Sequence, residues 1–586
     1  MPSTGSHPTY DDNDHVEPTE DSPLLYNSDG LRYVPPRPID SRAGTIESRE
    51  GEGETIPRDE QEADLERQIS NESHGGTSKH YEGLPDVKKR LKYILPAVAV
   101  GIFLSAADQT IIVSSYGRIG SDLGALNNTS WIATAYFLTL TSFQPLYGKL
   151  SDIFGRKSCL LFAYTIFGIG CLWCGLSRSL NELVIARAFA GIGGGGMTTV
   201  VSIMMSDIVT LRERGKWQGY INIVYATGAS TGAPLGGILA DSIGWRWVFL
   251  FQAPLCILAI LAVSFVLRLP KRAESHWKAK LGRIDFLGAL ILISAVFLLL
   301  LGLDRGSNVS WKNKLAIISL ASSVPLFCIF IFVETKIAAE PFAPGHIIFE
   351  RSLFASYICN FCAFGGYMAA LFYVPLYFQV VNGDSATQAG LRLIPAIICG
   401  VSGSLFGGFY MQRTGKYYYI TIIAYSTLTI GAAALLFFSG VVSMSSIAGM
   451  MVGLCISGIG NGIGVTTSLI ALIANASHSD QAVATACSYL FRSMGSVFGV
   501  SIAATLVNDS LRSHLAAALG TGEDATRIAE RVRQSISFID TLGPHLQALV
   551  RECYAKGTQA AFGLEVALVA GAAVAAWFIR EKRLSR

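Results

Sequence analysis

The feature that most constrains this chain is a series of apolar stretches, each about 20 residues long, that recur from residue 95 onwards. A bilayer core about 30 Å thick is spanned by roughly 20 helical residues, each rising 1.5 Å. Only 15% of the 586 residues are charged, against about 25% in soluble domains. Because one soluble core would not need so many apolar stretches, the sequence predicts an all-α protein that crosses a membrane many times.

The apolar stretches and the loops between them predict fourteen membrane helices. Their approximate ranges are 95–116, 131–149, 158–177, 181–206, 217–240, 245–267, 284–303, 314–334, 351–380, 387–411, 417–440, 445–474, 483–508 and 560–579. Lys and Arg concentrate in the loops that are cytosolic if the N-terminus is cytosolic, as the positive-inside rule requires.

The helices group into three predicted regions. An N-terminal six-helix bundle covers 95–267, and two additional helices cover 284–334. A C-terminal six-helix bundle covers 351–579 and includes a loop over 509–559. Apolar residues repeat at three- and four-residue steps within that loop, which predicts an amphipathic helix on the side away from the cytosol.

The N-terminal 87 residues are rich in Asp, Glu, Pro, Gly and Ser, which predicts a disordered cytosolic tail. Within this tail, Glu20, Leu24 and Leu25 fit the acidic dileucine pattern that trafficking adaptors bind. Asn128 and Asn308 lie in glycosylation sequons in loops predicted to face away from the cytosol. The tail therefore predicts a trafficking adaptor as a partner, and the two sequons predict a glycoprotein.

Several functional classes are excluded by composition. A net charge of +3 is too small to indicate a nucleic-acid partner. The eleven cysteines fall mainly inside apolar stretches, so the CxxC pairs Cys171/Cys174 and Cys359/Cys362 predict packing rather than a metal site. No loop combines a nucleophile with a base. We therefore predict no catalytic residue, no cofactor and no metal, and the chain is not expected to be an enzyme.

A short motif lies between the second and third predicted helices. Gly148 and Gly155 permit tight turns, and Asp152 can cap the start of the third helix. Arg156 and Lys157 can pair with the ends of neighbouring helices. The segment 148–157 is therefore a candidate for a structured cytosolic connection rather than an ordinary basic loop.

A second motif lies in the fifth predicted helix. Gly228, Gly232 and Gly236 recur every four residues and share one helical face, where another backbone can approach closely. Pro234 bends the helix, and Gly237 follows the last of these glycines. The pattern predicts a tightly packed hinge.

Asp108 is the most informative single residue, because a charge near the centre of a membrane helix costs about 2.5–3.5 kcal/mol on insertion scales. From the predicted helix ends, Asp108 lies about 12 Å and Arg187 about 9 Å below the same membrane surface. These depths predict that both residues line one cavity, as an exchanging ion pair or as a static structural pair.

Other polar residues interrupt the apolar helices and are candidates for a cavity between the bundles: Asn222, Tyr225, Tyr367, Asn461 and Arg492. Glu565, near the outer end of the last helix, is expected to lie at the membrane interface.

These motifs resemble those of the major facilitator superfamily. Segment 148–157 resembles the signature GxLaDrxGrk, and Arg187 with Gly191 and Gly193 resembles RxxxGxG. Segment 228–237 resembles the antiporter signature gxxxGPxxGG, with Ala233 inserted before the proline. The stretch 108–113 resembles the DxTIV motif of the fourteen-helix drug/proton antiporter branch.

Segments 130–136, 143–157 and 190–202 narrow the resemblance to fungal vacuolar basic amino acid transporters. That resemblance implies the major facilitator fold and alternating access. It also implies a multi-pass protein of the vacuolar membrane, in contact with lipid, which imports the small cationic substrates Lys, Arg and His in exchange for protons. The alternatives are a multidrug or siderophore/proton antiporter of the plasma or vacuolar membrane, and a nutrient sensor that does not transport.

Overall fold

The computed structural model describes residues 91–112, 115, 119, 122–123, 130–267, 285–308, 311–337, 345–384, 386–441, 445–477, 480–519, 539 and 541–584. Helices account for nearly all of this part of the chain. The fourteen long ones are α1 (Leu91–Ile111), α2 (Ser130–Phe154), α3 (Arg156–Leu176), α4 (Leu180–Ile208), α5 (Leu211–Ser242), α6 (Trp245–Val266), α7 (Phe286–Asn308), α8 (Lys314–Lys336), α9 (Arg351–Val380), α10 (Gln388–Thr414), α11 (Tyr418–Val441), α12 (Ile447–Asn475), α13 (Gln481–Leu519) and α14 (Pro544–Ala576).

Local sequence signals explain where several helices begin and end. Ser179 accepts a hydrogen bond from the backbone of Glu182 at the start of α4, and Ser446 does the same for Gly449 at the start of α12. Gly155 between α2 and α3, Gly244 between α5 and α6, and Gly415 between α10 and α11 have positive φ angles of 88°, 100° and 68°. Because such angles favour glycine, the turns are fixed at these points.

Helices pack in two groups. The first six form one bundle, in which α4 lies against α2 and α3, and α5 lies along α1. The last six form a second bundle, in which α9 lies against α13 and α14, and α12 against α10 and α11. Helices α7 and α8 pack on each other, and α7 also contacts α2 and α13, one helix from each bundle.

Glycines set the spacing of α1 and α5. A Cβ at Gly228, Gly232 or Gly236 would overlap a backbone carbonyl oxygen of α1, that of Phe103, Ala107 and Ile111 respectively. The predicted close approach of a second backbone thus occurs along α1, the helix that carries Asp108. Pro234 is exposed and Gly237 is partly buried, so neither takes part in this close contact as these three glycines do.

Within the described residues, twelve helices are long and apolar enough to cross a membrane. Helices α2 and α5 occupy two of the fourteen predicted spans but fall outside that group. Both carry many polar residues. Both also contact the opposite bundle, so part of each helix faces protein rather than lipid. The structure therefore gives a multi-pass, all-α membrane protein, whereas the count of fourteen crossings stays a prediction.

The long loop predicted over 509–559 is shorter in the structure. Helix α13 continues to Leu519 and α14 already begins at Pro544, so both ends of the predicted loop are helical. Polar residues such as Asp509, Arg551 and Glu552 ended the apolar stretches, but a helix can extend beyond the bilayer and keep such residues on its surface. Most of the amphipathic segment, residues 520–538, lies outside the described residues, and Ile539 is buried against Leu511 and Val550.

The expected interfacial position of Glu565 is wrong. Its side chain is 0% exposed, and neither carboxyl oxygen has a hydrogen-bond partner among the residues that the structure describes. The correction follows from the longer α14: with its start at Pro544, Glu565 lies in the middle of the helix rather than near its end. A buried carboxylate without a partner is very costly, so the neutral, protonated acid is the form that this position accommodates.

Replacing Gly232 with Ala should disrupt the packing of α5 on α1. The added Cβ would overlap the Ala107 carbonyl oxygen, which cannot move without moving α1. Overpacking of this kind costs about 1–3 kcal/mol, so we expect less folded protein and a lower apparent melting temperature by fluorescence-detected size-exclusion chromatography. Gly563→Ala on α14 is the matched control, because nothing lies within 4 Å of its Cβ position. Equal loss in the two variants, or no loss in Gly232→Ala, would contradict this packing.

Replacing Glu565 with Gln should leave folded protein at the wild-type level, because a neutral group of the same shape replaces a neutral acid. The corresponding variant Asp108→Asn should lower the amount of folded protein, because the Asp108 carboxylate is ion-paired. Both variants would be compared by the monodisperse fraction after solubilisation. A severe loss in Glu565→Gln would mean that Glu565 is charged and paired in the folded protein.

Candidate functional site

A buried ion pair joins α1 to α4. The Nη1 atom of Arg187 lies 2.6 Å from Oδ2 of Asp108, and the two side chains are 1% and 0% exposed. The structure thus brings together the two residues whose depths agree in the sequence. Burial of both charges is tolerable only because each one neutralises the other and because hydrogen bonds satisfy the remaining atoms.

The remaining atoms of the pair are held by other helices of the same bundle. Gln252 on α6 donates a hydrogen bond from Nε2 to Oδ1 of Asp108 at 3.0 Å. Arg187 donates from Nε to the Ile132 carbonyl oxygen on α2 at 3.2 Å, and its guanidinium carbon lies 4.2 Å from the centre of the Tyr136 ring. Four helices therefore enclose the pair.

This enclosure differs from the predicted position of the pair along a cavity. In this conformation neither side chain reaches a solvent-filled space, because Tyr136, Gln252 and the neighbouring helices surround both charges. Gln252 was not among the predicted site residues. Its only signal in the sequence is an amide near the start of an apolar helix, which does not reveal which residue it contacts.

The motif over 148–157 forms a charged cluster at the end of the first bundle. Arg156 pairs with Asp152 and, at the end of α4, with Asp207, both at 2.7 Å. Lys157 donates to the carbonyl oxygen of Ser264 on α6 at 2.7 Å. Residues from α2, α3, α4 and α6 are thereby tied together at the end predicted to be cytosolic.

At this same end the two bundles meet. A Cβ at Gly148 on α2 would lie 2.6 Å from the Cβ of Ala486 on α13, so the helices are in close contact. Arg212 at the start of α5 donates to the backbone carbonyl oxygens of Gln412 and Arg413 at the end of α10. These contacts cross between residues far apart in sequence, so the sequence patterns do not reveal them.

Further along α5, a chain of polar groups crosses between the bundles. Gln218 donates to Oδ1 of Asn222 at 3.1 Å, and Asn222 donates from Nδ2 to Ser404 on α10 at 2.8 Å. The Ser404 hydroxyl lies 2.6 Å from that of Thr466 on α12. Asn222 is thus a contact between the bundles.

Tyr225 and Arg492 lie between the bundles. The Tyr225 hydroxyl on α5 donates to Oε1 of Gln109 at 2.9 Å, next to Asp108 on α1. Arg492 on α13 places its guanidinium carbon 4.1 Å from the Phe364 ring centre and interacts electrostatically with Tyr225. Tyr225 belongs to one bundle and Arg492 to the other, so these two predicted cavity residues lie near each other at the interface.

The other two predicted cavity residues belong to the second bundle. Tyr367 on α9 is 6% exposed, and Asn461 on α12 is 9% exposed. Within the described part of the chain, Oδ1 of Asn461 has no hydrogen-bond partner. A buried network on the same helices was not predicted: the Asn360 amide donates to Ser488 at 3.2 Å and accepts from Ser468 at 3.3 Å. Single polar residues in apolar helices signal such networks but not their pairing.

Some predicted positions lie outside the described residues. These are the dileucine residues Glu20, Leu24 and Leu25, and the sequon residue Asn128. The other sequon residue, Asn308, ends α7, and its side chain is also outside the described part.

Comparison with known proteins gives three similar relatives. The chain is 40% identical over 482 residues to "Multidrug resistance protein fnx1" of Schizosaccharomyces pombe, covering 81% of this chain and 90% of that protein. It is 40% identical over 500 residues to the "Vacuolar membrane amino acid uptake transporter fnx2" of the same organism, covering 84% of each. It is 36% identical over 451 residues to "Vacuolar basic amino acid transporter 2" of Saccharomyces cerevisiae, covering 74% of this chain and 94% of that protein.

A solved structure shares the fold. The human organic anion transporter MFSD10 (TETRAN) aligns with a TM-score of 0.52 at 16% identity, covering 82% of this chain and 99% of that one. The sequence model of the Major Facilitator Superfamily matches residues 98–500. These similar proteins are transporters rather than enzymes. The two helix bundles, the charged motif between α2 and α3 and these matches lead to one conclusion: the chain belongs to the major facilitator superfamily.

Proposed function

We propose that this protein is an antiporter of the vacuolar membrane that moves the basic amino acids Lys, Arg and His into the vacuole in exchange for protons. The names of two relatives support the location and the substrate, since one is a vacuolar basic amino acid transporter and the other takes up amino acids at the vacuolar membrane. An acidic dileucine pattern at Glu20, Leu24 and Leu25, which a trafficking adaptor would bind, agrees with that location.

The observation that carries the proton-coupled mechanism is the buried Asp108–Arg187 pair. Asp108 is the acid that the DxTIV-like stretch places on α1, and Gln252 and Arg187 hold both of its oxygens. Protonation of Asp108 would remove the negative partner of Arg187 and leave a buried unpaired cation. Since such a state is unfavourable by several kcal/mol, proton binding would drive the bundle toward another conformation.

Contacts between the bundles support alternating access. The first bundle touches the second through Arg212 and Gly148 at the end predicted to be cytosolic, and through Asn222 further along. We interpret this arrangement as the conformation that is closed to the cytosol and faces the vacuole. Rocking of the bundles about the polar contacts would open the opposite side.

The direction of transport follows from the proton gradient. The vacuolar lumen is acidic, so protons bind from the lumen and leave to the cytosol. Each tenfold difference in proton concentration provides about 1.4 kcal/mol per proton for moving an amino acid the other way. Close packing of α5 along α1 at Gly228, Gly232 and Gly236 would couple the position of Asp108 to the movement of α5.

A second candidate is the export of drugs or siderophores in exchange for protons. It is favoured by the 40% identity to a relative named as a multidrug resistance protein. The two functions differ in the membrane that holds the protein and in whether basic amino acids compete with a drug for transport. A drug exporter at the plasma membrane would make cells lacking it sensitive to the drug, and basic amino acids would not compete with the drug for transport.

Asp108→Asn should abolish lysine uptake driven by a pH gradient in proteoliposomes, reducing it at least tenfold. The single variant leaves Arg187 unpaired, and this costs about 3–5 kcal/mol of stability, so loss of uptake alone would be ambiguous. The double variant Asp108→Asn/Arg187→Gln removes both charges and should restore folded protein.

The double variant separates coupling from structure. We expect it to exchange internal unlabelled lysine for external labelled lysine without a gradient, yet to gain nothing from an imposed pH gradient. If the pair is a static structural element, the double variant will recover gradient-driven uptake. Recovery of wild-type, gradient-driven uptake would therefore contradict the coupling role of Asp108.

A further inference from the structure

Arg492 is a cation without a counter-ion at the interface between the bundles. Its side chain is partly exposed, and it makes no ion pair within the described part of the chain. Asp108 is already held by Arg187, and Glu565 is sealed inside the second bundle. An arginine inside a membrane protein normally pairs with an acid or faces a water-filled space. With no acid paired to it in the described part of the chain, Arg492 is left to face a water-filled space or to bind an anion.

Two aromatic rings of the second bundle flank the guanidinium of Arg492. The rings of Phe364 and Tyr489 lie 4.1 Å and 4.9 Å from the guanidinium carbon, at cation–π distance. The hydrogen-bonding edge stays available, since no side-chain hydrogen bond of Arg492 exists within the described residues. The next residue, Ser493, donates to Gln144 on α2 at 3.1 Å, so this part of α13 faces the other bundle.

On the side of the first bundle, Arg492 lies near polar groups of α5 and α1. Tyr225 interacts electrostatically with Arg492 and donates to Gln109, the neighbour of Asp108 in sequence. An anion bound at Arg492 would therefore lie between the second bundle and the proposed coupling helix. A guanidinium binds a carboxylate through two parallel hydrogen bonds, and the match is geometric as well as electrostatic.

We propose that Arg492 binds the α-carboxylate of the transported amino acid. This inference rests on the proposed function and adds a basis for selectivity. A basic amino acid carries two positive groups and one carboxylate, and that carboxylate is the counter-ion that Arg492 lacks. A cation of the same size without a carboxylate meets only repulsion from Arg492. The residue thus selects amino acids against amines and against cationic drugs.

Competition binding to the purified full-length protein in nanodiscs tests this assignment. The competitors of labelled lysine are unlabelled lysine, lysinamide, which has a neutral amide in place of the carboxylate, and 1,5-diaminopentane, which lacks the group altogether. In the wild-type protein, lysine should compete at a concentration at least tenfold lower than either analogue. Because the experiment measures binding rather than transport, a variant that cannot complete the transport cycle still gives a binding signal.

In Arg492→Gln, lysine binding should weaken at least tenfold while the analogues change little, so the difference between lysine and lysinamide disappears. Arg492→Lys keeps the charge without the two-pronged geometry and should retain part of the difference, which provides a second variant if Arg492→Gln folds poorly. Arg392→Gln is the control, because Arg392 is already paired with Asp384 at 2.8 Å. It should leave the preference for lysine unchanged.

Two negative results have different meanings. If the wild-type protein binds and transports no basic amino acid, the proposed function fails and this assignment fails with it. If the wild-type protein transports lysine but accepts lysinamide equally well, or if Arg492→Gln keeps the preference for lysine, the carboxylate assignment alone is overturned.

Discussion

The ion pair between Asp108 and Arg187 is the interaction on which the organisation of the first bundle depends. Both side chains are almost completely buried, and four helices supply the atoms that surround them. A buried pair of this kind is not a strong source of stability, because desolvation offsets much of the attraction. Its importance is that loss of either charge is severely unfavourable, which is why the proposed function assigns a large conformational effect to a single proton on Asp108.

The rest of the molecule is arranged to transmit such an effect. Helix α5 lies along α1 through three glycines, and the same helix reaches the second bundle through Asn222 and Arg212. Under the proposed mechanism, a shift of α1 would therefore move the contacts between the bundles at the end predicted to be cytosolic. Helix α7 connects the bundles further out: Asp304 accepts a hydrogen bond from Thr134 on α2, and Arg305 stacks on Trp131. These two contacts anchor α7 to α2, and α7 also packs on α13 of the second bundle.

Much of the fold could be predicted from hydrophobicity and spacing, because the bilayer requires long apolar helices and allows little else. Helix α9 has the predicted ends, 351 and 380, and the glycine repeat of α5 predicted its close approach to another backbone. Helix ends beyond the bilayer were predicted poorly, as at α14, where polar residues continue the helix. This error also moved Glu565 to the interface in the prediction.

The site was predictable only as a set of polar residues at similar depths. The depths of Asp108 and Arg187 in the membrane could be matched, because each depth was counted from a predicted helix end at the same membrane surface. Gln252 and Gln109 could not be assigned, since an isolated amide in an apolar helix has no periodicity that identifies its partner. Contacts between bundles, such as Asn222 with Ser404, depend on the conformation and on long-range packing, which local sequence patterns do not encode.

The most direct test of the account is whether a basic amino acid moves protons through this protein. Purified protein would be reconstituted into vesicles with an acidic interior and a trapped pH-sensitive dye, and lysine or arginine would be added outside. Proton-coupled antiport predicts that either amino acid raises the internal pH as it enters, and that protein-free vesicles do not respond. Entry of lysine without a change in internal pH, or a pH response to a cationic drug but not to lysine, would contradict it.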